Sequence, residues 1–228
     1  MPVIYLIGDS TVQADGDPFY GWGSLLQPFC REGVTVCNYA RSGESSRSFY
    51  ERGLFDPIFE LIKQGDLLLI QFGHNDEKDD PQRYTDPQGS FLGFLGAYLD
   101  AALQKKALAA LVTPVCRRHF LPDGSLLYTH GEYPLAVRKL AAQRGVPLID
   151  LKRMTRELYL RLGQEKTAGL FVQIPAGSHP DFPRGHDDLT HFCREGARRI
   201  AALAADAMAG EETLAEFVDT QTLREFLD

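Results

Sequence analysis

The sequence predicts an α/β domain with a parallel, doubly wound sheet and helices on both faces. Short apolar runs of strand length, Val3-Ile4-Tyr5-Leu6-Ile7 and Leu67-Leu68-Leu69-Ile70-Gln71-Phe72, each stop at a glycine, Gly8 and Gly73. Near-continuous apolar character marks strands buried on both faces, as parallel strands are. Such runs alternate with segments of helical periodicity through most of the chain, the pattern of strand-helix-strand crossovers. At 228 residues the chain is long enough for one domain to bury a sizeable core.

The elements follow in order. The first strand empties into Gly8-Asp9-Ser10-Thr11 and a polar loop, and a short helix is expected over residues 22 to 31. Trp22, the single tryptophan, reads as a packing anchor, with an aromatic platform for a sugar as the alternative. Val34 to Tyr39 is a second strand by its β-branched content, and the small residues 40 to 48 follow as a loop. A helix near 56–63 precedes the third strand, which ends in Gly73-His74-Asn75-Asp76.

The charged, proline-punctuated segment 77–89 suits a surface loop. Phe91, Phe94, Leu95, Tyr98, Leu99 and Leu103 fall at helical spacing and should be core. A fourth strand at 107–112, an excursion over 115–130, a helix over 132–144, a fifth strand at 146–150 and a helix near 155–162 complete the alternation. Residues 164–190 lack periodicity and read as one long loop, which in a compact domain is more often functional than idle. A last helix over 193–208 closes the domain, assigned to residues 1–210. Residues 211–228 form an amphipathic helical tail whose Leu214, Phe217, Val218, Leu223, Phe226 and Leu227 should pack on their own domain, with a homodimer contact as the alternative.

A net charge of -7 argues against a nucleic-acid partner, because that affinity rests on clustered Lys and Arg. No apolar stretch reaches membrane-spanning length, so no membrane partner is expected. Cys30, Cys37, Cys116 and Cys193 lack C-x-x-C spacing, so neither a zinc knuckle nor a redox pair is indicated. The chain passes from Met1-Pro2 directly into a strand without the features of a secretory signal, and a cytoplasmic location is the expectation.

Ser10 lies just past the carboxyl end of the first strand, the edge of an open α/β sheet where ligands bind. A helix N-cap is the plain alternative for a serine there. Gly43 follows the second strand, Asn75 the third, and Asp188 with His191 precede the last helix. Acyl transfer needs a nucleophile, a base, a carboxylate that orients the base, and donors for the oxyanion. Ser10, His191 and Asp188 supply the first three, and the Asn75 side chain with the backbone amides of Ser10 and Gly43 can supply the last.

The blocks Gly8-Asp9-Ser10-Thr11, the segment around Gly43, Gly73-His74-Asn75-Asp76 and Asp188-Leu189-Thr190-His191 resemble those of the SGNH, or GDSL-like, esterases. The resemblance runs over roughly residues 3 to 208. Threonine after Ser10, the run Asn38-Tyr39-Ala40-Arg41-Ser42-Gly43-Glu44-Ser45-Ser46 and Thr129-His130-Gly131-Glu132-Tyr133 look most like the rhamnogalacturonan acetylesterase branch. The resemblance implies a three-layer α/β/α sandwich with a flavodoxin-like five-stranded parallel sheet. It also implies a serine esterase that removes acetyl groups from plant cell-wall sugars, pectic or xylan oligosaccharides, with no cofactor and no metal.

Between Asp187 and Asp188 as the orienting carboxylate, the resemblance favours Asp188. There is no G-x-S-x-G around Ser10, which argues against a nucleophile elbow. Arg41, Arg47, His74 and Arg117 are candidate substrate contacts, with solvated loop charges and turn packing as the alternatives. Two rival readings remain at this stage. The His179, His186, Asp187, Asp188 and His191 cluster could serve a metal hydrolase, although its spacings fit no standard zinc motif. The same cleft could belong to a non-catalytic sugar-binding module.

Overall fold

The computed structural model describes residues 1–13 and 16–227. Residues 14 and 15 of the loop after Ser10, and residue 228 at the end of the tail, lie outside the described residues. Five parallel strands form the central sheet: β1 (Val3–Gly8), β2 (Thr35–Asn38), β3 (Leu67–Gln71), β4 (Leu108–Val112) and β5 (Leu148–Ile149). Their order is β2-β1-β3-β4-β5, the flavodoxin-like arrangement, and it puts the switch point between β1 and β3. Ile4 sits opposite Leu67, and Leu67 opposite Leu108, so the carboxyl ends of β1 and β3 emerge side by side.

The period-two alternation of side chains divides the core in two. Ile4 and Leu6 of β1, Leu67 and Leu69 of β3, and Ala110 and Val112 of β4 face one layer. That layer holds α5 (Leu151–Ala168) and α6 (Arg194–Ala209). Tyr5, Ile7, Leu68, Ile70 and Leu111 face the other, which holds α1 (Ser46–Glu51), α2 (Asp56–Leu61), α3 (Ser90–Gln104) and α4 (Tyr133–Arg144). Helices on both faces of the sheet bury all five residues of β3, which explains why it reads as a nearly unbroken apolar run.

Four expectations are corrected. Residues 22–31 form two 3-10 turns, Trp22–Leu25 and Gln27–Phe29, and no continuous helix. Pro28 cannot donate a backbone hydrogen bond and its ring crowds the preceding turn. The loop assigned to 40–48 ends in α1, whose start is a reciprocal cap: Ser48 N donates to Ser45 Oγ at 3.1 Å and Ser45 N donates to Ser48 Oγ at 2.9 Å. α5 extends to Ala168 through a break at Gly163, where φ is +74°.

The supposed long loop contains an antiparallel hairpin, β6 (Phe171–Ile174) and β7 (His186–Phe192), separate from the main sheet. A register shift between Phe171 and Gln173 interrupts the alternation that would have marked it. The tail packs on its own domain: Leu214, Phe217, Val218 and Leu223 are buried, and in α7 (Thr220–Leu227) Phe226 meets Phe29 at 5.2 Å. No helix among the described residues is long and apolar enough to cross a membrane.

Candidate active site

The turn after β1 is built from below by a buried polar chain. Asp9 is fully buried, and its Oδ1 accepts Thr11 N at 2.9 Å and Thr11 Oγ1 at 2.8 Å. Thr11 Oγ1 in turn accepts Gln71 Nε2 at 2.7 Å, and Gln71 Oε1 accepts Trp22 Nε1 at 2.9 Å. Trp22 has no exposed surface and is the packing anchor expected of it. Val12 N and Gln13 N both donate to Asp9 O, so the backbone makes one turn at Ser10 and no helix begins there. The N-cap alternative is therefore overturned. Gly8 permits this tight return, because a Cβ there would lie 2.6 Å from Gln71 O and 2.7 Å from Val12 Cγ2.

Ser10 Oγ lies 2.9 Å from His191 Nε2, and His191 Nδ1 lies 2.8 Å from Asp188 Oδ2. The distances describe an unbroken hydroxyl, imidazole and carboxylate chain. Asp188 is buried, which would raise its pKa. The hydrogen bonds from the His191 ring and the His191 amide outweigh burial and hold the carboxyl well below its ordinary range. Its Oδ1 also accepts Thr190 N at 2.6 Å and His191 N at 2.8 Å. Asp187 is turned elsewhere, onto the Arg118 guanidinium and Gln173 Nε2. Of the two aspartates, Asp188 is the one that meets His191.

The hairpin holding Asp188 and His191 is clamped from both sides. Tyr20 N donates to Phe192 O at 3.0 Å from the loop after β1, and Arg118 N donates to Leu189 O at 2.8 Å from the excursion after β4. Buried Phe192 packs on Phe171 at 5.1 Å, and Phe171 on Tyr159 of α5 at 5.5 Å. Phe19 stands edge-on to the His191 ring at 5.9 Å.

The loops after β1, β2 and β3 are tied to one another. Arg41 N donates to Gly8 O at 2.9 Å, and Ser42 N donates to Gln13 Oε1. Gly43 adopts φ +81°, a left-handed conformation that glycine takes without strain. Asn75 Nδ2 donates to Glu44 O at 2.9 Å, which uses one of its two hydrogens and fixes the amide plane. Among the described residues the backbone amides of Ser10 and Gly43 have no hydrogen-bond partner.

Below them the buried Asp76 carboxylate gathers Gly73 N at 3.0 Å, Ser46 N at 3.1 Å and Thr85 Oγ1 at 2.9 Å. Burial still pushes this carboxyl up to about 7, and the Asp9 carboxyl up to about 6. A cleft of about 230 Å³ opens over Ser10 and His191, lined also by Gln13, Phe19, Tyr20 and Ser42.

None of the four candidate substrate contacts lines that cleft. Arg47 bonds Glu51 at 2.9 Å and Pro81 O at 3.1 Å, and Arg117 bonds Glu77 at 2.5 Å. Arg41 is exposed on a neighbouring groove that it shares with Gln13 and Asn38. His74 is buried, its Nδ1 2.8 Å from His130 Nε2, and it stands behind the site as turn packing would have it. Burial lowers the pKa of both rings well below the ordinary imidazole range. As for the metal reading, no group of three or more His, Cys, Asp or Glu among the described residues is arranged to hold an ion.

The profile of the GDSL-like lipase/acylhydrolase family matches residues 6–199. The chain belongs to that family. It is 43% identical to the rhamnogalacturonan acetylesterase RhgT of Bacillus subtilis, over 90% of this chain and 88% of that protein. It is 37% identical to the probable rhamnogalacturonan acetylesterase YesY of the same organism, over 89% of this chain and 90% of that one.

Among solved structures, the Bacillus subtilis protein YxiM superposes with a TM-score of 0.80 at 26% identity, covering 95% of this chain and 58% of that one. An acetyl xylan esterase, AlAXEase, shares the fold with a TM-score of 0.63 at 20% identity, over 90% of this chain and 98% of the other. In this family member the residues that sequence reasoning missed are the supporting ones: Asp9, Thr11, Gln71, Asp76 and Phe19. Asp9 and Asp76 did carry a signal, since each is a carboxylate set beside a site residue just after a buried strand.

Proposed function

We propose that this family member is a serine esterase that removes O-acetyl groups from plant cell-wall-derived oligosaccharides, with acetylated pectic fragments favoured over xylan ones. The observation that carries the reading is the continuous chain from Ser10 Oγ through His191 to Asp188, at 2.9 and 2.8 Å, opening on a cleft at the sheet's carboxyl edge. The identity to two Bacillus proteins named as rhamnogalacturonan acetylesterases supports the pectic class.

In this reading Ser10 Oγ attacks the acetyl carbonyl carbon while His191 Nε2 takes its proton. Asp188 holds the imidazole with Nδ1 protonated and stabilises the imidazolium. The negative charge on the carbonyl oxygen is met by Asn75 Nδ2 and the amides of Ser10 and Gly43, donors already positioned before the reaction. The bond from acetyl carbon to sugar oxygen then breaks, and His191 passes its proton to that oxygen. Water, losing its proton to the same imidazole, attacks the acetyl-serine. Acetate leaves, and Ser10 Oγ regains its proton.

Acetate release from acetylated rhamnogalacturonan and acetylated xylan oligosaccharides, with Ser10→Ala as control, tests the reading. Release from the pectic substrate by the wild type, abolished by Ser10→Ala, is the expected result. Equal release by the variant would refute the serine mechanism, and a preference for xylan would refute the substrate class.

A further inference from the structure

One imidazole near the site has no part in the mechanism above. Asp188 Oδ2 receives two rings: His191 Nδ1 at 2.8 Å and His186 Nε2 at 3.0 Å. Together with Thr190 N and His191 N on Oδ1, the carboxylate is met by four donors, which fills its acceptor capacity. His186 and Asp188 are two residues apart on β7 and therefore share a face. The His186 ring is not loose. It stacks on Phe182 at 4.9 Å and meets Phe19 at 6.2 Å, and Phe19 is the same ring that stands edge-on to His191.

From this geometry we infer that His186 is a positioning residue: it donates from Nε2 to Asp188 Oδ2 and anchors the carboxylate. The inference rests on the acyl-transfer reading of Ser10, His191 and Asp188. A carboxylate oxygen held by two donors is fixed in direction by both, so His191 Nδ1 meets an acceptor that cannot turn away.

The other charged groups around His186 do not replace this contact. Asp187 is turned to Arg118 and Gln173, Arg184 shares the outer groove with His186, and His179 with Asp181 lies behind Phe182. Phe19 and Phe182, the rings packed against it, carry no charge.

The test compares wild type, His186→Ala and His186→Gln by two readouts. Steady-state kinetics on a small acetyl ester separate kcat from KM. The low-field proton resonance of His191 Nδ1 reports its bond to Asp188 without any turnover. The alanine variant is expected to lose about threefold to tenfold in kcat, with KM little changed, because misplacement of a catalytic group is costly. Its low-field resonance should be displaced or lost. Glutamine keeps an N–H donor without a titrating ring and should restore kcat to within about twofold of wild type, with a resonance near the wild-type position.

An alanine variant with the wild-type kcat and resonance would overturn the proposal. So would a glutamine variant altered as much as alanine. Failure of the acyl-transfer reading looks different: Ser10→Ala would keep its activity while the resonance still responded to His186.

Discussion

Ser10 stands on the five-stranded sheet, whereas Asp188 and His191 stand on a two-stranded hairpin outside it, and the two halves of the site are held by different means. Under Ser10 lies a buried chain from Asp9 through Thr11 and Gln71 to Trp22, every member of it almost without exposed surface. Under His191 there is one apolar contact chain, Phe192 to Phe171 to Tyr159, and two backbone clamps from neighbouring loops. Asp188 is buried, but the ring of His191 is about one-third exposed. The proposed nucleophile is thus fixed by the fold's interior and the proposed base by loops. A two-stranded ribbon is marginal by itself, so the base side depends on its clamps.

The largest expected effects come from removing either half. Ser10→Ala and His191→Ala should each lower kcat by about 10⁴-fold or more, and the double variant should fall no further, since the groups act as one unit. Acetate release at saturating substrate measures all three. Additive losses would mean that the 2.9 Å contact between the halves does no joint chemistry.

Asn75 belongs to the sheet side, and in the proposed mechanism it serves the oxyanion. Asn75→Ala should cost about 10²- to 10³-fold in kcat with little change in KM, by loss of one preorganised donor. Steady-state kinetics on a small acetyl ester read this directly. A loss confined to KM would place Asn75 in ground-state binding.

Arg118 tests the clamps. Its guanidinium reaches Asp187 and its amide reaches Leu189, so Arg118→Ala should loosen β6 and β7 while the amide link remains. Roughly a tenfold loss of kcat is expected, with faster amide hydrogen exchange in residues 171–174 and 186–192 and unchanged protection in β1 and β3. Exchange measured by mass spectrometry would contradict the comparison if the sheet and the hairpin loosened together.

How far this architecture was legible depends on where the stabilising contacts lie. β1, β3 and β4 were readable because burial on both faces writes itself into consecutive apolar residues. Ser10 and Asn75 were readable because they closely follow such strands, and Gly43 because it follows the β-branched run of β2. The hairpin was not, because β6 and β7 are shifted in register and anchored by backbone bonds to Tyr20 and Arg118 that leave no periodic trace. α1 was hidden for a related reason. Its cap is made by two serines in a small-residue stretch, Ser45 and Ser48, which read equally well as loop. His186 shows the same limit at the site: its sequence neighbours suggested a metal cluster, and only the folded hairpin sets its ring against Asp188.

The smallest expected effect concerns stability. Burial raises Asp9 from its ordinary 3.8 to about 6, so Asp9 takes up a proton on folding in the interval between those values. Its contribution is fully present below about pH 3.8 and is lost as pH rises through about 6. Asp9→Asn keeps an acceptor for Thr11 but cannot titrate. Urea denaturation at a series of pH values should show the difference between wild type and variant changing by roughly 1 to 3 kcal/mol from pH 4 to pH 7, in the sense that wild type loses more. Parallel curves would mean that Asp9 titrates alike in the folded and unfolded chain.

The central claim is that the Ser10 oxygen, activated by a base on the hairpin, carries the acetyl group. Rapid quenching of wild-type protein with an activated acetyl ester, followed by mass spectrometry of the peptide containing Ser10, measures that most directly. The account predicts an acetyl group on Ser10 that accumulates within the first turnover and is absent from Ser10→Ala. Continued turnover with no acetyl group on Ser10 at any quench time would contradict it.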